Sequence, residues 1–172
     1  MDNPSAPPVG ARARITSLRA VDIARGVADG EFSAVDVVEA FIARIEEVDP
    51  KIHAVVLRFF DAARTDARAV DARRARGERL GPLAGVPVTI KECFDMVGTP
   101  STYGVPWRSA HRADADDPYV ARYRAAGAIP LAKTNLPQFM FFTECDNPLH
   151  GRTDNPWNSE RSCGGSSGGE GA

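Results

Sequence analysis

Lys91 closes an apolar run, Val86-Pro87-Val88-Thr89-Ile90, and Ser166 and Ser167 stand between two glycine pairs in Gly164-Gly165-Ser166-Ser167-Gly168-Gly169. A lysine at the inner end of a hydrophobic strand is partly removed from water, which favours the uncharged amine and so makes a base available. A serine in a glycine turn can be approached closely, because glycine reaches backbone conformations closed to other residues. A lysine base beside a serine hydroxyl is the equipment for proton transfer on an amide or ester. Each feature also has a plainer reading. Lys91 can snorkel at a strand edge, with its stem on apolar surface and its ammonium in water. The Gly/Ser segment can be a flexible linker. A phosphate cradle is disfavoured, since the segment lacks G-x-x-x-x-G-K-[ST] and does not fit G-x-G-x-x-G.

Other reactive side chains point to no second chemistry. His53, His111 and His150 are scattered without metal-ligand spacing, so no metal site is expected. Cys93, Cys145 and Cys163 are odd in number and lie far apart, which argues against a disulfide framework or a zinc site and fits a reducing cytoplasm. Both Cys93 and Cys145 read as buried small hydrophobes. Ser101, Ser109, Ser159 and Ser162 read as turn and loop residues.

The elements that must hold Lys91 and the serines can be traced along the chain. Ser17 is placed to cap a first helix that carries Leu18, Val21, Ala24 and Val27 on one face and stops at Gly30. Ser33-Ala34-Val35-Asp36 is a capping-box variant opening a helix with an apolar stripe of Val38, Phe41, Ile42, Ile45 and Val48, expected to end at Pro50. A short apolar run, Ala54 to Leu57, precedes an Ala/Arg-rich helix from about Asp61 to Arg76, whose interleaved aspartates favour a solvated, ion-paired face over a nucleic-acid helix. Strands Val86 to Lys91 and Ile129 to Lys133 flank a helix from about Pro118 to Ala126, capped by Asp116 or Asp117 and ended by Gly127. Strand, helix, strand implies a parallel crossover and an α/β sheet. The loop-rich stretch from Thr134 to Cys163 is long enough to suggest a functional loop.

At 172 residues, with 43% hydrophobic and 26% charged, the chain has the balance of one globular domain. A net charge of -2 leaves no field of one sign to gather nucleic acid or an anionic membrane. Residues 1–14 read as a disordered tail with neither a signal sequence nor a membrane anchor. At the other end, Glu170-Gly171-Ala172 looks like the first turn of a helix with no apolar face after it. Residues 15–172 are therefore expected to be the N-terminal portion of a single domain, an α/β fragment whose sheet is incomplete.

Four stretches stand in a recognisable order: Gly81-Pro82-Leu83-Ala84-Gly85-Val86-Pro87-Val88-Thr89-Ile90-Lys91-Glu92-Cys93-Phe94-Asp95, Thr134-Asn135-Leu136-Pro137-Gln138, Gly151-Arg152-Thr153-Asp154-Asn155-Pro156-Trp157-Asn158, and the terminal glycine-serine segment. In order and spacing they resemble the amidase signature family over roughly residues 15 to 172. Asn135 to Phe141, Cys145 to Leu149 and the Gly-Gly-Glu-Gly-Ala ending look most similar to its fatty-acid amide hydrolase branch. The A-type component of glutamyl-tRNA amidotransferase usually continues its glycine loop with Ser-Ala-Ala where this chain has Glu170-Gly171-Ala172.

The resemblance implies a mixed sheet covered by helices on both faces and hydrolysis of a carboxamide to carboxylate plus ammonia or amine. Lys91 matches the family's base, Ser166 the bridging serine after a cis peptide bond, and Ser167 a supporting serine. Met140 and Phe141 match a segment beside the substrate pocket. The family's nucleophilic serine lies C-terminal to the glycine segment, beyond Ala172, so this chain is expected to be truncated before the nucleophile and inactive alone. No cofactor is implied. A small-molecule amide is the expected partner, with no nucleic acid, no stable membrane anchor and a homodimer open for the full-length protein. Two alternatives stand: a glutamyl-tRNA amidotransferase A-type subunit, and a non-catalytic remnant or binding module.

Overall fold

The structure is a computed structural model, and it describes residues 9–172. Its elements in chain order are α1 (Val9–Thr16), α2 (Ala20–Asp29), α3 (Ala34–Ile52), β1 (Val55–Arg58), α4 (Phe60–Ala75), β2 (Pro87–Lys91), α5 (Pro118–Ala125), β3 (Ile129–Thr134) and α6 (Gly168–Gly171), with 3-10 turns at Pro106–Arg108 and Gln138–Met140. The sheet order is β1-β3-β2. β3 runs antiparallel to β1, in the register Val55 to Thr134, Leu57 to Lys133 and Arg58 to Ala132. It is parallel to β2, with the Ile129 N–H bonded to the Val86 carbonyl at one end and the Glu92 N–H to the Thr134 carbonyl at the other. The sheet is thus mixed, as the family resemblance implied.

The chain forms two compact units, each assembled from three separated stretches, so no linker marks them in the sequence. The first takes the chain up to Glu47, Phe59–Val88 and Arg122–Leu131. Its α3 begins with the capping box expected at Ser33 and Asp36. The Ser33 Oγ accepts from the Asp36 N–H at 2.9 Å, and the Asp36 carboxylate accepts from the Ser33 N–H at 3.1 Å. The next two N–H groups, of Ala34 and Val35, donate to the Asp71 carboxylate of α4 at 2.9 and 3.2 Å, so α4 completes the cap. Val27, Val37, Val38, Ala63 and Ala67 are fully buried between these helices' apolar faces. The arginines of α4 have protein partners: Arg64 forks onto the buried Glu39, Arg68 donates to the Thr65 hydroxyl, Arg73 pairs with Glu78, and Arg74 donates to the Val27 and Phe32 carbonyls.

The second unit takes Val48–Arg58, Thr89–Ala121 and Ala132–Ala172. Here the Asp49 carboxylate accepts from the N–H groups of Ala54 and Val55 at 2.8 and 2.9 Å and from Arg58 at 2.8 Å, fixing the turn into β1. Asp117 caps α5 through the Tyr119 N–H at 2.9 Å.

Three local expectations are corrected. Val9–Thr16 is helical where a disordered tail through residue 14 was expected; Ile15 is buried and Arg14 pairs with Glu31, which ties the helix down. The rest of that tail, residues 1–8, lies outside the described residues. Ser17 caps nothing: its hydroxyl donates to the Arg14 carbonyl, and α2 starts after Arg19 without a side-chain cap. Pro50 sits inside α3, which continues to Ile52 because the His53 N–H still reaches the Asp49 carbonyl at 2.8 Å. A proline removes one donor and leaves the following turn free to close.

Candidate active site

The end of β2 and the glycine-serine segment meet within the second unit. Lys91 is half-buried, and its Nζ donates to the Ser166 Oγ at 2.9 Å, 75 residues away. Side chains alternate along a strand, so Thr89 and Lys91 stand on one face of β2. The peptide bond between Gly165 and Ser166 is cis. Ser167 is exposed, and its carbonyl accepts from the Gly171 N–H at 3.0 Å as α6 begins.

The glycines are there for close approach. A Cβ on Gly169 would lie 2.5 Å from the Asn135 nitrogen and 2.7 Å from the Ala54 oxygen. One on Gly168 would lie 2.2 Å from the Cβ of Cys145, and one on Gly165 2.8 Å from the Phe142 oxygen. Only a chain without side chains fits at these points. The linker reading of the segment fails for this reason: Gly168 and Gly169 are buried, and the Gly169 N–H donates to the Asn135 carbonyl at 3.1 Å.

Asn135 organises the long loop behind the segment. Its Nδ2 donates to the Gly151 carbonyl and the Thr153 hydroxyl, both at 3.0 Å, and its Oδ1 accepts from Asn147 Nδ2 at 2.8 Å. Asn147 in turn accepts from the Leu149 and His150 N–H groups at 3.0 and 2.7 Å. A buried amide network satisfied in this way specifies one loop conformation.

Lys133, an ordinary strand residue by sequence pattern, is fully buried on β3. Its Nζ donates to the Pro100 carbonyl at 2.7 Å, the Ser101 hydroxyl at 3.0 Å and the Glu92 carbonyl at 3.4 Å. Burial pushes its amine below the ordinary lysine value, opposed by the negative charges of Glu92 and Asp95. The carboxylate of Glu92 is also buried and accepts from the N–H groups of Thr102 and Tyr103. The residue following Lys91 is thereby locked. The available sequence signal was a lysine inside Ile129-Pro130-Leu131-Ala132-Lys133-Thr134, a strand with no exposed position.

Met140 and Phe141 are not brought into hydrogen-bonding or ring contact with Lys91 or Ser166. They lie at the 3-10 turn Gln138–Met140, where Phe139 and Met140 have φ of 51° and 62°. Phe141 is 82% exposed and joins an aromatic group: its ring centroid is 6.3 Å from that of Phe139, which stacks on Tyr103 at 6.5 Å. The following residues, Phe142 and Thr143, abut Gly165 and help line an open cavity of about 620 Å³ with Gln138, Glu144 and Asp146.

Burial disfavours the thiolate at two of the three cysteines. Burial pushes the Cys163 thiol up to about 11, with Cys145 beside it adding to the rise, and burial also raises Cys93. The His150 imidazole is pushed below its usual value by burial, and its Nε2 has no partner among the described residues. Among the described residues no group of three His, Cys, Asp or Glu side chains is gathered as a metal site, and no helix is long and apolar enough to cross a membrane.

A lysine amine stands in hydrogen-bonding contact with a serine hydroxyl on a mixed α/β sheet, an arrangement that could pass a proton. Comparison with known proteins gives the family. The chain belongs to the amidase family, whose model, Amidase, matches residues 36–172. It is 46% identical over 153 residues to an indoleacetamide hydrolase of Bradyrhizobium diazoefficiens, covering 89% of this chain and 29% of that protein. It is 43% identical over 158 residues to the A-type component of the glutamyl-tRNA(Gln) amidotransferase of Thermobifida fusca, covering 92% of this chain and 32% of the relative. Among solved structures, a fatty acid amide hydrolase superposes with a TM-score of 0.89 at 28% identity, covering 92% of this chain and 28% of that one. The chain thus spans about a third or less of the length of these relatives.

Proposed function

We propose that residues 15–172 are the N-terminal portion of a single amidase domain that hydrolyses a carboxamide to a carboxylate and ammonia or an amine. The observation that carries this reading is the 2.9 Å bond between Lys91 Nζ and Ser166 Oγ. With Lys91 uncharged, Ser166 passes its own proton to Nζ while taking one from a nucleophilic serine, which by the family resemblance lies C-terminal to the glycine segment. That serine adds to the amide carbonyl. The intermediate collapses as the relay returns the proton to the departing nitrogen, and water then cleaves the acyl ester by the same route. Ser167 supports the relay, and Met140 and Phe141 border the substrate. The reading includes a cytoplasmic location.

The aromatic group of Tyr103, Phe139 and Phe141, exposed at Phe139 and Phe141, favours an amide with an apolar or aryl portion. The 46% identity to a hydrolase of indoleacetamide supports the same class. A second reading, one component of a tRNA-dependent amidotransferase, is supported by the 43% identity to such a protein. It predicts copurifying partner proteins and glutaminase activity. The experiment is to purify the whole encoded protein and measure ammonia or amine release from indoleacetamide, an aryl acetamide, a fatty amide and glutamine. Release from the first three by a protein without copurifying partners supports the amidase; release only from glutamine, with partners bound, supports the amidotransferase; release from none refutes both.

A further inference from the structure

The Ser166 segment has a second attachment to the sheet, made by Glu170. One carboxylate oxygen accepts from the Thr89 hydroxyl at 2.7 Å and the other from the Thr134 hydroxyl at 2.6 Å. Thr89 is two residues before Lys91 on β2, and so on the face that presents the lysine. Thr134 is the last residue of β3, is 2% exposed, and its carbonyl accepts the Glu92 N–H at 3.0 Å. Glu170 therefore grips two neighbouring strands, β2 at its middle and β3 at its end, close to where Lys91 leaves the sheet.

Between Ser167 and Glu170 the backbone is Gly168-Gly169, which has no side chains of its own to lock it. Glycine is the residue that loses most freedom on ordering, so the segment is held from outside, by the packing around Gly168 and Gly169, by the bond from the Gly169 N–H to the Asn135 carbonyl and by what Glu170 reaches. The Lys91 to Ser166 bond cannot be such a restraint in a relay, because its proton must move during the reaction. The bonds from Thr89 and Thr134 to Glu170 carry no moving proton and can stay in place throughout.

We propose that Glu170 is a positioning residue that holds the Ser166 hydroxyl at hydrogen-bonding distance from Lys91 Nζ by clasping Thr89 and Thr134. This rests on the amidase reading for its kinetic consequence, though not for its structural one. Misplacing a reacting group by about 1 Å costs on the order of 10²-fold in rate. Glu170→Ala in the whole encoded protein is thus expected to lower kcat by about 10²-fold while KM stays within about twofold. Glu170→Gln, whose amide oxygen can accept one hydroxyl, should recover part of the loss. The double variant Thr89→Val/Thr134→Val should reproduce the loss, and adding Glu170→Ala to it should cost nothing more.

Amide hydrogen exchange reads the clasp independently of turnover. In Glu170→Ala the Gly169 and Gly171 N–H groups should exchange at least about tenfold faster, while the Asn135 N–H, bonded to the Ala54 carbonyl, stays protected. If the unmodified protein cleaves no amide, the amidase reading fails, and exchange alone decides the clasp. Unchanged exchange at both glycines would overturn it. So would a Glu170→Ala protein with unaltered kcat, or losses that simply add across the three positions.

Discussion

Replacing Lys133 with methionine removes the amine from a fully buried position while roughly keeping the side chain's length. In the native protein that amine serves the Pro100 carbonyl at 2.7 Å and the Ser101 hydroxyl at 3.0 Å, with Glu92 O at a weaker 3.4 Å. Each short partner left unsatisfied in the interior costs about 1–3 kcal/mol. Relief from burying the amine returns part of this, so Lys133→Met is expected to lose about 2–4 kcal/mol, a large share of the roughly 5–15 kcal/mol typical of a folded domain. The pH dependence adds a signature. Because burial lowers the folded amine below its unfolded value of 10.5, the unfolded chain binds the proton more tightly, and native stability rises with pH between the folded and unfolded values. Methionine has no such proton, so the gap between the two proteins should widen from pH 7 to pH 9.5. Equilibrium urea unfolding at both pH values measures this. A loss below about 0.5 kcal/mol, or a gap that narrows as pH rises, would refute the assignment of Lys133 as a buried, hydrogen-bonded cation.

Gly169→Ala places a methyl 2.5 Å from the Asn135 nitrogen and 2.7 Å from the Ala54 oxygen, both backbone atoms that cannot swing aside. Overpacking of this kind costs about 1–3 kcal/mol, so the melting temperature should fall by several degrees; a change under about 1 °C would show that the segment has room. Asp49→Ala takes away the acceptor that serves the buried Ala54 N–H, the part-buried Val55 N–H and the Arg58 Nη2. The expected cost in urea unfolding is about 3 kcal/mol or more, and a cost below about 1 kcal/mol would mean that water replaces the carboxylate.

What the sequence disclosed and what it withheld follow from the range of the interactions. The capping box at Ser33 and Asp36, the stop at Gly30 and the strand before Lys91 are local, and all are found where the pattern put them. Pro50 misled because a local rule about proline took no account of the Asp49 carbonyl and carboxylate, which keep the turn closed. Ser17 misled because Arg14, one turn back, offered its carbonyl first. The meeting of Lys91 with Ser166 joins positions 75 apart and was reached through the order of four motifs, not through spacing. Lys133 carried no motif, and Glu170 was marked only as part of the Gly-Gly-Glu-Gly-Ala ending, with no partner assigned. Their roles arise from partners at Ser101, Thr89 and Thr134 that only the folded chain assembles.

The role of Lys91 as the base acting through Ser166 is tested most directly by kcat/KM of the whole encoded protein against its Lys91→Ala variant on one aryl acetamide, with circular dichroism to check the fold. Loss of a positioned acid-base group costs about 10²–10⁴-fold, so the variant should fall by at least that much with its spectrum unchanged. A folded Lys91→Ala protein that keeps its kcat/KM within about threefold of the native value would contradict that role.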